Sequence, residues 1–170
     1  SSISKLYIFL TAVLVTAAAA AGCVSIPAAE SSEPVLLVTV PPMTEIVSAV
    51  AGNGFEVLSV VPEGVSPHTY EPTPADVSSF ATADMWFTLG EGFLPLEKQV
   101  TEALPDMPRV ATGSQIRAVA ETGSEEVEMD PHIWISTRNG IMMTHAVRDG
   151  LSERYPVLAD RFSENADQFI

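Results

Sequence analysis

From residue 35 onward the chain alternates short apolar runs with amphipathic stretches, and proline or glycine marks most junctions. Residues 35–40 (VLLVTV) are β-branched and almost continuously apolar, as in a parallel strand buried on both faces. Pro41-Pro42 follows, and proline suits the first turn of a helix, so a helix is predicted from Pro42 through Ala51. Gly52-Asn53-Gly54 stops it. Residues 55–61 read as a second strand, and 62–72 as a proline-rich loop. Thr73-Pro74-Ala75-Asp76 is a helix start, with Thr as N-cap, Pro at the first position and an acid in the first turn; that helix runs to about Ala83. Residues 85–89 (MWFTL) form a third strand, 94–104 an amphipathic helix and 109–111 a short fourth strand. Ser136 is a candidate N-cap for a helix over 137–154, and 156–170 places Leu158, Phe162 and Phe169 at helical spacing. The strand–helix alternation predicts an α/β fold, a parallel sheet flanked by helices. The last helix ends in mid-pattern, so the chain is expected to continue beyond Ile170.

The first thirty residues follow a different pattern. Lys5 precedes an uncharged apolar stretch that ends in five alanines, and no charge returns until Glu30. A positive start, an apolar run and small residues describe an export signal over residues 1–22. Ala20-Ala21-Gly22 directly before Cys23 resembles a lipobox, in which the cysteine thiol takes the lipid, although the usual leucine is replaced by Ala20. The alternative is an uncleaved membrane anchor, since about 20 uncharged residues suffice to span a bilayer. Either reading puts the rest of the chain on the outer face of the cell membrane. Residues 23–33, small and polar with a proline, read as a tether, leaving 34–155 as a folded lobe.

Charge narrows the function. Eight Lys and Arg against 22 Asp and Glu give a net charge of -14, which excludes a nucleic-acid binder because phosphate contacts need a basic face. A single cysteine excludes a disulfide framework and a cysteine-rich zinc module. No Gly-x-Ser-x-Gly, phosphate-binding glycine loop or His-Glu-x-x-His occurs.

Two histidines stand in stiff loops. His68 lies in Pro67-His68-Thr69-Tyr70-Glu71-Pro72-Thr73-Pro74, and His132 in Asp130-Pro131-His132-Ile133-Trp134. Proline restricts the residue before it to extended geometry, so both imidazoles are held out of helices. Both loops precede a helix, and in a parallel sheet the strand-to-helix loops gather at the carboxyl edge, where ligands bind. Neutral imidazole suits zinc and other transition metals, and each metal-bound histidine needs an acceptor on its other nitrogen. Glu71 and Asp130 are the nearby candidates. Spacing alone favours a structural or surface role for each histidine over a ligand role. His145, inside a helical stretch beside apolar residues, reads as a half-buried packing residue. The acidic run before Asp130, with Glu121, Glu125, Glu126 and Glu128, reads as a solvated surface loop.

With these motifs in place, the sequence resembles the cluster A-I solute-binding lipoproteins of ABC importers for zinc and manganese. The resemblance rests on the export signal with Cys23, on Val38 through Val50, on the Pro67–Asp76 motif and on Asp130 through Trp134. Ala83 through Gly90 and on to Glu97, a strand, a glycine turn and a glutamate, also fits. The resemblance implies two α/β lobes joined by a long helix, with the metal in the cleft. It makes His68 and His132 the ligands of the first lobe, places the two remaining ligands in a second lobe, and makes residues 156–170 the start of the linking helix. It also implies a permease and an ATPase as partners, a transported zinc or manganese ion, and no enzymatic activity. A third histidine in the second lobe favours zinc and a carboxylate favours manganese. The runner-up function is a surface adhesin on the same fold with metal in a structural role. A metal-dependent hydrolase, with Glu71 as its only nominee for a general base, comes third.

Overall fold

The computed structural model describes residues 33–116 and 129–170. The export signal, Cys23, all but the last residue of the tether, and the acidic run with Glu121, Glu125, Glu126 and Glu128 lie outside the described residues.

Among the described residues, four parallel strands form one sheet in the order β2-β1-β3-β4. They are β1 (Val35–Val38), β2 (Glu56–Ser59), β3 (Met85–Thr88) and β4 (Arg109–Ala111). The helices are α1 (Pro42–Ala51), α2 (Pro74–Phe80), α3 (Pro95–Ala103), α4 (Thr137–Arg154) and α5 (Ala159–Phe169). Two 3-10 helices precede α4 and α5: Pro156–Leu158, and His132–Ile135, which takes in a histidine expected to stand outside any helix. No described helix is long and apolar enough to cross a membrane.

The apolar runs explain the centre. Leu36, Leu37 and Val38 of β1 are buried, as are all four residues of β3, because each strand has a neighbour on both sides. Leu37 stands opposite Leu58 of β2 and Trp86 of β3. Helices α1, α4 and α5 pack on one another, and Phe162 and Ala166 of α5 are wholly buried. Phe162 meets Phe55 edge-on at 5.9 Å, and Phe55 meets Tyr155 at 5.2 Å. Two side chains of α5 close the far end of α1. Asn165 Nδ2 donates to Val50 O (2.9 Å), and Arg161 donates to Ala51 O (2.8 Å) and to Asn53 O.

Several predicted ends differ from the observed ones for identifiable reasons. Strand β3 stops one residue early because the Leu89 N–H donates to a side chain, Glu97, instead of continuing the ladder. The helix beginning at Pro74 ends at Phe80, where Ala81–Ala83 turn the chain towards β3. The segment after Tyr155 opens as a 3-10 turn over Pro156–Leu158 before α5 begins at Ala159.

The start of α2 is a complete capping box. Thr73 Oγ1 accepts from the Asp76 N–H (3.3 Å), and the Asp76 carboxylate accepts from the Thr73 N–H (2.8 Å) and hydroxyl (2.7 Å). Those bonds from Thr73 hold the Asp76 carboxyl below its ordinary value. A carboxyl with a lowered folded-state pKa stabilises the fold above the ordinary carboxylate range, and that contribution is lost as pH falls through the lowered value. Thr73→Ala is therefore expected to cost about 1 kcal/mol in urea unfolding at neutral pH. The difference from wild type should shrink on acidification; a constant difference down to low pH would contradict this account.

Candidate metal site

The strand order places a topological switch point between β1 and β3: the chain leaves β1 towards β2, then crosses back to β3 on the other side. In open α/β sheets ligands bind outside the carboxyl ends of the strands at such a point. The loop carrying His68 leaves β2 at this edge, and the turn carrying His132 leads into α4.

The two imidazoles come together there. Their ring centroids are 6.0 Å apart with the planes inclined by 38°. A tetrahedral ion about 2.0–2.1 Å from one nitrogen of each ring sets the centroids roughly 5–6 Å apart. Both histidines are exposed. Pro67-His68 lies in a tight turn in which the Thr69 N–H donates to Ser66 O (3.2 Å). The loop then runs into the α2 capping box. Tyr70 sits against that box, and burial, followed by the neighbouring Asp76 charge, raises its phenol above the ordinary value.

The His132 limb is built around Asp130. One oxygen, Asp130 Oδ1, accepts from the His132 backbone N–H (2.9 Å) and lies 2.7 Å from His132 Nδ1. These bonds from His132, the backbone one first, hold the Asp130 carboxyl below its ordinary value. A carboxylate at Nδ1 keeps the proton there, so Nε2 presents its lone pair outward. Trp134 flanks the ring at 5.2 Å. Glu71 is exposed, and among the described residues no hydrogen bond joins it to either imidazole. His145 is half-buried on α4, where Arg148 Nη1 approaches its Nδ1 at 3.0 Å. Among the described residues no three His, Cys, Asp or Glu side chains converge on one point. Two imidazoles make half of a tight transition-metal shell, which ordinarily has three or four protein ligands.

Two residues that bear on this edge were harder to find from sequence. Gly113 packs where a side chain has no room. A Cβ there would stand 2.5 Å from Leu89 O and 2.8 Å from Ile133 Cδ1. Ile133 directly follows His132, so Gly113→Ala pushes on the histidine's own turn. We expect it to cost about 1–3 kcal/mol as overpacking and to weaken metal binding without touching a ligand; a variant with wild-type stability and affinity would refute this.

The second residue is Glu97, in α3 and only 6% exposed. Its carboxylate accepts from the Leu89 N–H (2.7 Å), the Gly90 N–H (3.0 Å) and the Thr39 hydroxyl. Burial raises its pKa, and the three hydrogen bonds pull in the opposite direction. A signal was present: Glu97 stands three residues before Val100 and beside Leu96, on the apolar face of its helix.

The chain is similar to known metal-binding proteins. A manganese-binding lipoprotein, MntA, from Halalkalibacterium halodurans is 28% identical over 163 residues, covering 95% of this chain and 54% of its own length. A metal ABC transporter substrate-binding lipoprotein from Lactococcus lactis is 31% identical over 144 residues, covering 79% of this chain and 46% of its own. A crystal structure of a ZnuA deletion mutant with zinc bound superposes with a TM-score of 0.73 at 26% identity, covering 80% of this chain and 52% of that one. The chain thus spans about half the length of these relatives. Residues 36–170 match the family described as zinc-uptake complex component A, periplasmic, and the chain belongs to that ZnuA family.

Proposed function

We propose that this protein is the metal-capturing component of an ABC importer for zinc or manganese. The observation that carries the reading is the approach of His68 and His132 to 6.0 Å at the carboxyl edge of the sheet, in a chain of the ZnuA family. His68 and His132 bind the ion, and Asp130 fixes the His132 tautomer. Glu71 has no such support from hydrogen bonding and is left as a neighbour of the site. The rest of the coordination shell comes from a second lobe, reached through a helix that begins at residues 156–170. The relatives described above divide between manganese and zinc in their names, and the second lobe's ligands decide between the two, a histidine for zinc and a carboxylate for manganese.

The ion is cargo in this reading, and no bond is made or broken. The protein works outside the cytoplasm, held to the membrane through Cys23 or an uncleaved anchor, and delivers the ion to a permease driven by its ATPase. The chain's net charge of -14 attracts cations towards it. An adhesin role is not favoured, because these relatives are named for metal binding or metal transport.

Equilibrium dialysis of the full-length, metal-free protein against zinc and manganese salts tests the reading. One retained ion per molecule is the expected result. Retention of neither metal would overturn it.

A further inference from the structure

We propose that Glu97 is a positioning residue for the His132 limb of the metal site: its buried carboxylate locks the turn after β3, and that turn grips His132 from both sides. The proposal rests on the reading of His132 as a ligand.

Glu97 sits at the switch point itself. Thr39 follows β1, and Leu89 and Gly90 follow β3, so one carboxylate joins the ends of the two central strands. Both backbone N–H groups donate to Glu97, and two carbonyls of the same turn are bonded to the segments around His132. Gly92 O accepts from the Met129 N–H (3.0 Å), three residues before His132. Leu89 O accepts from the Gly113 N–H (2.8 Å), and Gly113 is the surface on which Ile133, one residue after His132, packs. Gly90 and Gly92 both have positive φ (127° and 87°), a backbone that the turn must adopt to divide its groups in this way. Among the described residues the backbone bonds of the His68 loop are local, from Val65 to Pro62 and from Thr69 to Ser66.

Glutamine is nearly the same shape but cannot do the same work. Three donors point at the carboxylate, and an amide would set its own NH2 against at least one of them. Glu97→Gln should therefore free the turn and blur the Asp130–His132 hydrogen bond.

The test is made on the full-length protein with two readouts. Long-range proton–nitrogen NMR of the imidazoles, without metal, reports the His132 tautomer and its Nδ1 proton. Titration with zinc and with manganese reports affinity. In Glu97→Gln the Nδ1 proton signal of His132 should broaden or vanish while the imidazole nitrogen signals of His68 and His145 hold, and affinity should fall about tenfold, the low end for a residue supporting a ligand. Glu91→Gln, exposed on the same turn, should match wild type in both. A folded Glu97→Gln variant with wild-type His132 signals and affinity overturns the proposal. So does a change spread equally over all three histidines, which would mark a general loosening. If Glu97→Gln does not fold, Thr39→Val removes one of the three donors and should shift His132 alone in the same direction. Failure of both variants to fold makes Glu97 a fold determinant and the positioning role is withdrawn. Absence of metal binding by wild type would sink the transport reading instead, and the NMR result still decides the role of Glu97.

Discussion

Replacing His68 or His132 with alanine is expected to weaken zinc or manganese binding about a hundredfold or more in the full-length protein, while His145→Ala leaves it unchanged. Loss of a mere supporting residue costs metal sites about 10–100-fold, and loss of a ligand removes a coordinate bond outright. The two rings approach to 6.0 Å at the sheet edge, and removal of either leaves that edge with one imidazole. His145 lies on α4 and presents Nδ1 to Arg148 (3.0 Å), an environment that repels a second cation. Competition against a chromophoric chelator measures all three variants under one set of conditions. Equal losses in the three would remove His68 and His132 from the site.

Phe162→Ala should destabilise the lobe by about 3–5 kcal/mol, the usual range for deleting a large buried aromatic side chain. Phe162 has no exposed surface. Its ring closes an edge-to-face chain through Phe55 to Tyr155, and such contacts add to the burial itself. Its helix packs on both α1 and α4, which limits collapse into the void. In urea the midpoint should fall with an unchanged slope. Metal affinity of the molecules still folded should remain, because Phe162 is not among the residues at the carboxyl edge. A loss under about 1 kcal/mol would mean that α5 is an appendage to this core and not part of it.

How far the sequence disclosed this arrangement differs from segment to segment. The strand at VLLVTV was legible because a strand with neighbours on both sides tolerates no polar alternation. Thr73-Pro74 and Ser136 announced two helix starts because the caps are chemical, not statistical. Helix α4 spans Thr137–Arg154 as expected despite two internal glycines. Gly150 is there for room, since a Cβ would stand 2.5 Å from Val110 Cγ2. The stiff, proline-bounded loops of His68 and His132 marked the candidate site. Their approach in space could not be read, because it depends on the order β2-β1-β3-β4, which no local pattern encodes. Glu97 was legible as the glutamate after the glycine turn in the resemblance, but its burial was not, since hydrophobic patterning does not register a carboxylate that is buried by virtue of its hydrogen-bond donors. The bond from Asp130 to its neighbour's ring depends on a side-chain rotamer and was equally out of reach, although Asp130 itself was nominated.

The closing of α1 by α5 also dictates an order of events during biogenesis. The donors that satisfy Val50 O, Ala51 O and Asn53 O stand 108 to 115 positions further along the chain. A ribosome or an export channel releases the chain from its N-terminal end, so α1 emerges with its last carbonyls open and acquires partners only after nearly the whole lobe has appeared. Contacts of such high sequence separation form late and slowly. The far end of α1 is therefore completed only once Arg161 and Asn165 have emerged.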